Sequence, residues 1–225
     1  MIFKNIYRKF KSERRDGEVP FDVIARYLPV KPVVIEAGAH VGSDTEMIAQ
    51  RWPQAKIYAF EPIPEIFKQL KSNTAGLNNV HLYKLAIGEK PGIAKIYVSG
   101  GESDGSSSIL APKEHLALHP NVTFPNQISV KVESIDSWAA KYKIKQIDFL
   151  WLDLQGLELS ALKGAEKILD TVLAIQAEVN LVEVYKGVPL YNDLRQWLAK
   201  RGFEVAFEAI DWDDGGNVLF VRSQK

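Results

Sequence analysis

One pattern constrains the fold more than any other: after Pro32, short β-branched apolar runs alternate with amphipathic segments of helical period. This is the signature of βαβ units, because a strand buried on both faces reads as a continuous apolar run and its parallel crossover needs a helix. The first run is Val33–Ala37, followed by a glycine turn and a helix over about 43–52 that Pro53 stops. A second strand at Lys56–Phe60 leads, past Pro62 and Pro64, into a helix to about Asn73 that sets Ile66, Phe67 and Leu70 on one face. A third strand is predicted at 80–85, a fourth at 147–152 ending on Asp153, and a fifth at 172–178. One helix after the fourth strand carries Leu157, Ala161, Leu162, Ala165, Ile168 and Leu169 inward, and another over about 190–200 is capped by Gly202.

The alternation breaks in two places. Residues 94–98 and 128–132 read as strands, but the stretch between them is rich in Gly, Ser, Pro and His, which predicts a long functional loop or lid within an insert at about 93–132. A helix at Ile135–Tyr142 then leads into the fourth strand. At the C-terminal end, runs at 203–210 and 218–222 are joined through Asp213-Asp214-Gly215-Gly216-Asn217, too short for a helix, so they must pair antiparallel. The expected fold is α/β: a Rossmann-like, mostly parallel sheet with a C-terminal antiparallel hairpin and helices on both faces. A chain of 225 residues accommodates one such domain, here 31–225, behind a helical lead-in at 1–30.

Charge excludes one class of partner. Lys plus Arg (28) balances Asp plus Glu (28), so the basic surface of a nucleic-acid binder is missing. There is no cysteine, which removes disulfides and thiolate chemistry. No run approaches the roughly 20 apolar residues that span a bilayer, and no signal-peptide core is present, so a cytoplasmic protein is expected. Near the start, Ile2, Phe3, Ile6, Tyr7 and Phe10 recur at helical spacing among Lys4, Arg8, Lys9, Lys11, Arg14 and Arg15. A helix packing that stripe on the domain is favoured over docking of residues 1–15 on a membrane surface.

In an open α/β sheet, ligands sit beyond the carboxyl ends of the strands where the strand order reverses, here the end of the first strand. Glu36-Ala37-Gly38-Ala39-His40-Val41-Gly42 stands there. Gly38 lets the backbone turn and approach a ligand, and Gly42 opens a helix whose free N–H groups favour a carboxylate. Glycines at such a turn also serve the turn alone. The pair gains meaning from Glu61, which ends the second strand 23 residues after Gly38, near the spacing of about 20 for an acid that accepts ribose hydroxyls.

Asp153 closes the fourth strand, and two readings stand side by side: a group that takes a proton from an acceptor, or a cap for the following helix. Glu178 and Asn180 share its sheet edge. With Asp153 they offer oxygen ligands of the kind Mg²⁺ prefers, but no spacing calls for a divalent metal and none is assigned. His40 lies in the glycine loop, His81 reads as a partly buried strand residue, and His115 and His119 as loop histidines. A nicotinamide dehydrogenase is disfavoured, since G-x-G-x-x-G is absent and no Ser/Tyr-x-x-x-Lys pair stands out.

The segments Ile35 to Gly42, Ala59-Phe60-Glu61-Pro62, Leu85-Ala86-Ile87-Gly88, Leu150 to Glu158, and Leu162-Lys163-Gly164-Ala165, in that order, resemble the FkbM family of methyltransferases. The resemblance implies S-adenosylmethionine as cofactor and O-methylation of a hydroxyl on a sugar, glycan or polyketide-type small molecule. It assigns the donor to Glu36, Gly38, Ala39, His40, Gly42, Glu61, Pro62, Ala86 and Asp153, with Asp153, Glu178 and His40 as catalytic candidates. Tyr185, Lys186 and Tyr191 are expected to shape the acceptor pocket, with specificity in 99–127 and 180–191. The family often has Asp at position 36, Asn at 40 and Glu at 155, where this chain has Glu36, His40 and Gln155. The alternative is a catalytically inactive nucleoside-binding module, distinguished by donor binding without turnover.

Overall fold

The computed structural model describes residues 17–223, so the basic, apolar-striped segment at 1–15 lies outside the described residues. Among the described residues the main sheet has seven strands, in the order β3-β2-β1-β7-β8-β10-β9. These are β1 (Val33–Ala37), β2 (Lys56–Phe60), β3 (Val80–Tyr83), β7 (Phe149–Leu152), β8 (Ala174–Asn180), β9 (Phe203–Ala209) and β10 (Gly215–Arg222). The pairs from β3 across to β8 are parallel, and β10 runs antiparallel to both β8 and β9. Strand order reverses at β1, between β2 and β7, which makes a crevice beyond their carboxyl ends.

Successive residues of a strand face opposite sides, and both sides of this sheet are buried. Val34, Ile57, Phe149 and Trp151 face one layer with α1 (Phe21–Ile24) and α2 (Ser43–Arg51). On that side α3 (Pro64–Asn73) packs Leu70 on Ala59. Ile35, Tyr58, Leu150 and Ile175 face the other layer, made by α5 (Ile135–Tyr142), α6 (Glu158–Lys163) and α7 (Tyr191–Ala199). The largest side chain in that second core is Trp138, ringed by Tyr58, Phe60 and Tyr83 at centroid distances of 4.8–5.3 Å. Among the described residues, no helix is long and apolar enough to cross a membrane.

Several boundaries differ from the sequence expectation. The third strand ends at Tyr83; the chain then leaves the main sheet, and β4 (Ala86–Ile87) joins β5 (Gly92–Gly101) and β6 (Val122–Glu133) in a second sheet ordered β4-β6-β5. About half of the insert is therefore a long antiparallel hairpin, and the stretch 102–121, with the short α4 (His115–Leu118), is the loop that joins its strands. The strand runs read at 94–98 and 128–132 lie within β5 and β6, and one face of the hairpin is covered: Ile96, Val130 and Val132 pack on Ile63 and Ile66, while Ile93 on the edge is exposed.

The helix after β7 is not continuous. α6 stops at Lys163 and a 3-10 turn spans Ile168–Thr171, because a Cβ at Gly164 would overlap the carbonyl oxygen of Gly88 and the helix end must meet that backbone. Strand β7 starts at Phe149 because the buried Asp148 carboxylate instead accepts the N–H of Val33 at 2.7 Å. Strand β8 runs to Asn180, so Glu178 lies inside it rather than closing it.

Candidate active site

The glycine loop is built by backbone strain that the neighbouring strands enforce. Gly38, His40 and Gly42 have φ of 91°, 48° and 95°, the left-handed region that L side chains rarely enter. The N–H groups of Gly38 and Ala39 both donate to the Phe60 carbonyl, at 3.1 and 2.9 Å, tying the loop to the end of β2. A Cβ on Gly38 would overlap the carbonyl oxygen of Asp153, so glycine is required where the β1 and β7 exits touch.

Around this junction lies a cavity of about 210 Å³. Gly38, Ala39, His40, Glu61, Pro62, Ala86 and Asp153 line it, joined by Ser43, Asp44, Gln155 and an apolar wall that includes Ile63, Ile66 and Ile109. Two expected donor residues stand back from it. Gly42 presses on α3, where a Cβ would lie 2.9 Å from Leu70 Cδ1. Glu36 is buried beneath the loop, its Oε2 accepting the Thr45 hydroxyl at 2.6 Å and its Oε1 without a hydrogen-bond partner among the described residues.

The cavity is acidic, and among the described residues no lysine or arginine lines it. Burial, partly opposed by the Thr45 hydroxyl, pushes the Glu36 carboxyl up to about 8. Burial, reinforced by the Asp153 charge, pushes Asp44 up to about 6. Burial also raises Glu61 to about 7, against the N–H groups of Ile63 and His40 that favour its charge; the Ile63 N–H reaches Glu61 Oε1 at 2.7 Å. Groups crowded in this way gain from a cationic ligand, since a nearby positive charge relieves both desolvation and mutual repulsion.

A second cavity of about 570 Å³ opens on the β8 side, lined among others by Glu178, Asn180, Tyr185, His115, His119 and Trp212. Gly105, Asp153 and Gln155 line both cavities, so the two meet at the end of β7. Gln155 Nε2 donates to Asp153 Oδ1 at 2.9 Å and to Glu178 Oε2 at 2.8 Å, and its Oε1 accepts the Tyr185 hydroxyl at 2.9 Å. Burial raises the Asp153 carboxyl, with Gln155 and Glu178 opposing. Burial, then the charges of Asp153 and Glu158, holds Glu178 well above the usual carboxylate range.

The capping reading of Asp153 does not hold. Helix α6 begins at Glu158 with Leu157 as its N-cap, and the Glu158 carboxylate accepts the N–H groups of Leu154 at 2.7 Å and Gly156 at 3.3 Å. His40 lines only the first cavity, with Nε2 3.1 Å from Asp104 of the insert. Lys186 and Tyr191 line neither cavity; the Tyr191 hydroxyl instead bonds Glu208.

Sequence reading missed Asp44, noted Gln155 only as a departure from the family pattern, and read His115 and His119 as loop histidines without a place in the site. Asp44 looks like any first-turn acid of a helix, and Gln155 carries no charge to single it out. The two histidines meet at a centroid distance of 4.7 Å on the second cavity, where α4 is held against Tyr185. Burial and the neighbouring His119 lower the His115 ring, favouring its neutral form. His81 is a strand residue stacked on Tyr58, but it is exposed rather than partly buried. Among the described residues, no group of three or more His, Asp or Glu side chains is placed to hold a metal ion.

The chain is similar to proteins of known family. It is 31% identical over 161 residues to 2-O-methyltransferase NoeI of Sinorhizobium fredii, covering 69% of this chain and 66% of the relative. With methyltransferase sdnD of Sordaria araneosa it shares 24% identity over 223 residues, 88% of this chain and 83% of that one. Among solved structures, the FkbM methyltransferase from Methylobacillus flagellatus superposes with a TM-score of 0.55 at 14% identity, over 85% of this chain and 44% of that one. Aeropyrum pernix fibrillarin with bound S-adenosyl-L-methionine gives 0.50 at 13% identity, over 89% and 74%. Both structural likenesses establish a Rossmann-like methyltransferase fold. The methyltransferase FkbM domain model matches residues 36–205, and the chain belongs to that family.

Proposed function

We propose that the protein transfers a methyl group from S-adenosylmethionine to a hydroxyl oxygen of a small acceptor, a sugar, glycan or polyketide-type molecule. The observation that carries this reading is the meeting of two cavities at Asp153. The first cavity fits the donor chemically: an acidic ring suits its sulfonium and ammonium charges, the orphaned Glu36 Oε1 and Asp44 lie on the glycine-loop side, and Glu61 suits a ribose. The apolar wall of Ile63, Ile66 and Ile109 suits a flat base. Gly38, Ala39, His40, Glu61, Pro62 and Ala86 would hold it, with Glu36 beneath the glycine loop that carries them.

When bound, the donor supplies an electrophilic methyl carbon whose bond to sulfur breaks as the new C–O bond forms, the electron pair going to sulfur. The protein aligns the acceptor oxygen from the second cavity and removes its proton. Positioning supplies much of the rate. Asp153 takes the proton onto its carboxylate, and the burial that raises its basicity improves it for that task. Glu178, Asn180 and Tyr185 present polar groups to the acceptor side. A relative named as a 2-O-methyltransferase supports oxygen as the methylated atom.

Asp153→Asn tests this. Shape is kept, and no helix cap is lost, so the melting temperature should not fall. Single-turnover methyl transfer to a hydroxylated acceptor at saturating donor should drop about 10²–10⁴-fold. Wild-type transfer by the mutant would refute the base. Binding of S-adenosylhomocysteine by the wild type with no transfer across a broad hydroxylated panel would instead identify an inactive nucleoside-binding module.

A further inference from the structure

For Asp153 to take a proton it must be ionised and aimed, and one side chain is placed to secure both. Gln155 holds a left-handed backbone, φ 51°, directly after β7. Its two amide hydrogens go to two different carboxylates, Asp153 and Glu178, which a hydroxyl or carboxyl side chain could not match. The Tyr185 hydroxyl lies 2.9 Å from Gln155 Oε1 and 2.8 Å from the Ser106 carbonyl, which share its one hydrogen, and so stands at the oxygen end of the amide opposite the two acids. From the insert, the Ser108 hydroxyl donates to the Gln155 carbonyl at 2.7 Å.

We propose that Gln155 is a positioning residue: its amide ties Asp153 and Glu178 into one carboxyl pair with a single proton, leaving Asp153 ionised where the two cavities meet. The proposal rests on the reading of Asp153 as the base. Two adjacent buried acids do not both ionise readily, and they titrate as a pair. Glu158 from α6 adds repulsion at Glu178, which favours its keeping the proton. His40 from the glycine loop favours the charge on Asp153. Glu36 from β1 and Asp44 from α2 are acids that interact with Asp153 from the donor side. On the acceptor side the further ionisable groups are Tyr185, Asp213, Asp214, His115 and His119, all lining the second cavity. Each amide N–H stabilises the ionised form of its carboxylate, so removing them moves the pair's titration to higher pH.

Two variants test it on the full chain. Gln155→Asn tolerates the left-handed backbone but is one methylene too short to span both acids. Tyr185→Phe frees the amide without changing any charge. The readouts are ¹³C NMR titration of the Asp153 and Glu178 carboxyls and the pH profile of kcat. In Gln155→Asn, both carboxyl titration and the acid limb of kcat should move up together. At neutral pH kcat should fall about 10-fold or more, with a smaller change in the donor KM. Tyr185→Phe should move both in the same direction by less. Carboxyls that titrate as in the wild type, in either folded variant, would overturn the proposal. Should Asp153→Asn transfer methyl normally while the Gln155→Asn titration still shifts, the base reading fails and the carboxyl pair stands.

Discussion

Glu36 gives the sharpest quantitative prediction, because its burial sets a sign as well as a size. The carboxyl is 1% exposed, and burial lifts it from its ordinary 4.5 to about 8. A folded-state value above the unfolded one means that, between pH 4.5 and about 8, the native state binds a proton that the unfolded state has released. Stability from this group therefore falls as pH rises through that window, and is unaffected below it. At pH 7 the unfolded group is two and a half units past its own value; at about 1.4 kcal/mol per unit, the native state is weaker by about 3 kcal/mol. Glu36→Gln removes the titration while its amide oxygen can still accept the Thr45 hydroxyl. Urea unfolding of both proteins across the window should show equal stability at its acid end and a mutant advantage growing towards neutrality. Parallel stability curves for the two proteins would refute the reasoning.

Glu61→Ala should weaken S-adenosylhomocysteine binding by about 10- to 100-fold, the worth of about 1.5–3 kcal/mol for hydrogen bonds to a charged group, with the fold intact. Calorimetry reads it, and unchanged affinity in a folded mutant would remove the acid at the end of β2 from the ribose. In the insert, Tyr97 and Ser108 exchange backbone hydrogen bonds at 2.8 and 3.1 Å, so their amides should exchange slowly even without ligand. Residues 103–106 should exchange fast and slow down when S-adenosylhomocysteine and an acceptor are bound; fast exchange in every state would rule out a closing loop.

The sequence by itself determined the elements whose signal is local. Val33–Ala37 and Lys56–Phe60 are continuous apolar strands because both faces of the sheet are covered, and the structure keeps those bounds. Gly38, and Glu61 at its spacing, were legible because a tight strand exit and an acid after the second strand are constraints on neighbouring residues. The C-terminal hairpin was forced by a connection too short for a helix. What the sequence left open depended on which distant surfaces meet. Parts of β5 and β6 were legible as strands, but their pairing joins residues about thirty apart along the chain, in a sheet separate from the main one. Helix α6 ends where Gly164 meets the backbone of Gly88, a contact between separate segments. Asp153 could be separated from a helix cap only once Glu158 was seen to hold the free N–H groups. Gln155 emerged for the same reason: an uncharged amide has no signature of its own, and its place between Asp153, Glu178 and Tyr185 exists only when β7, β8 and the loop after β8 are brought together.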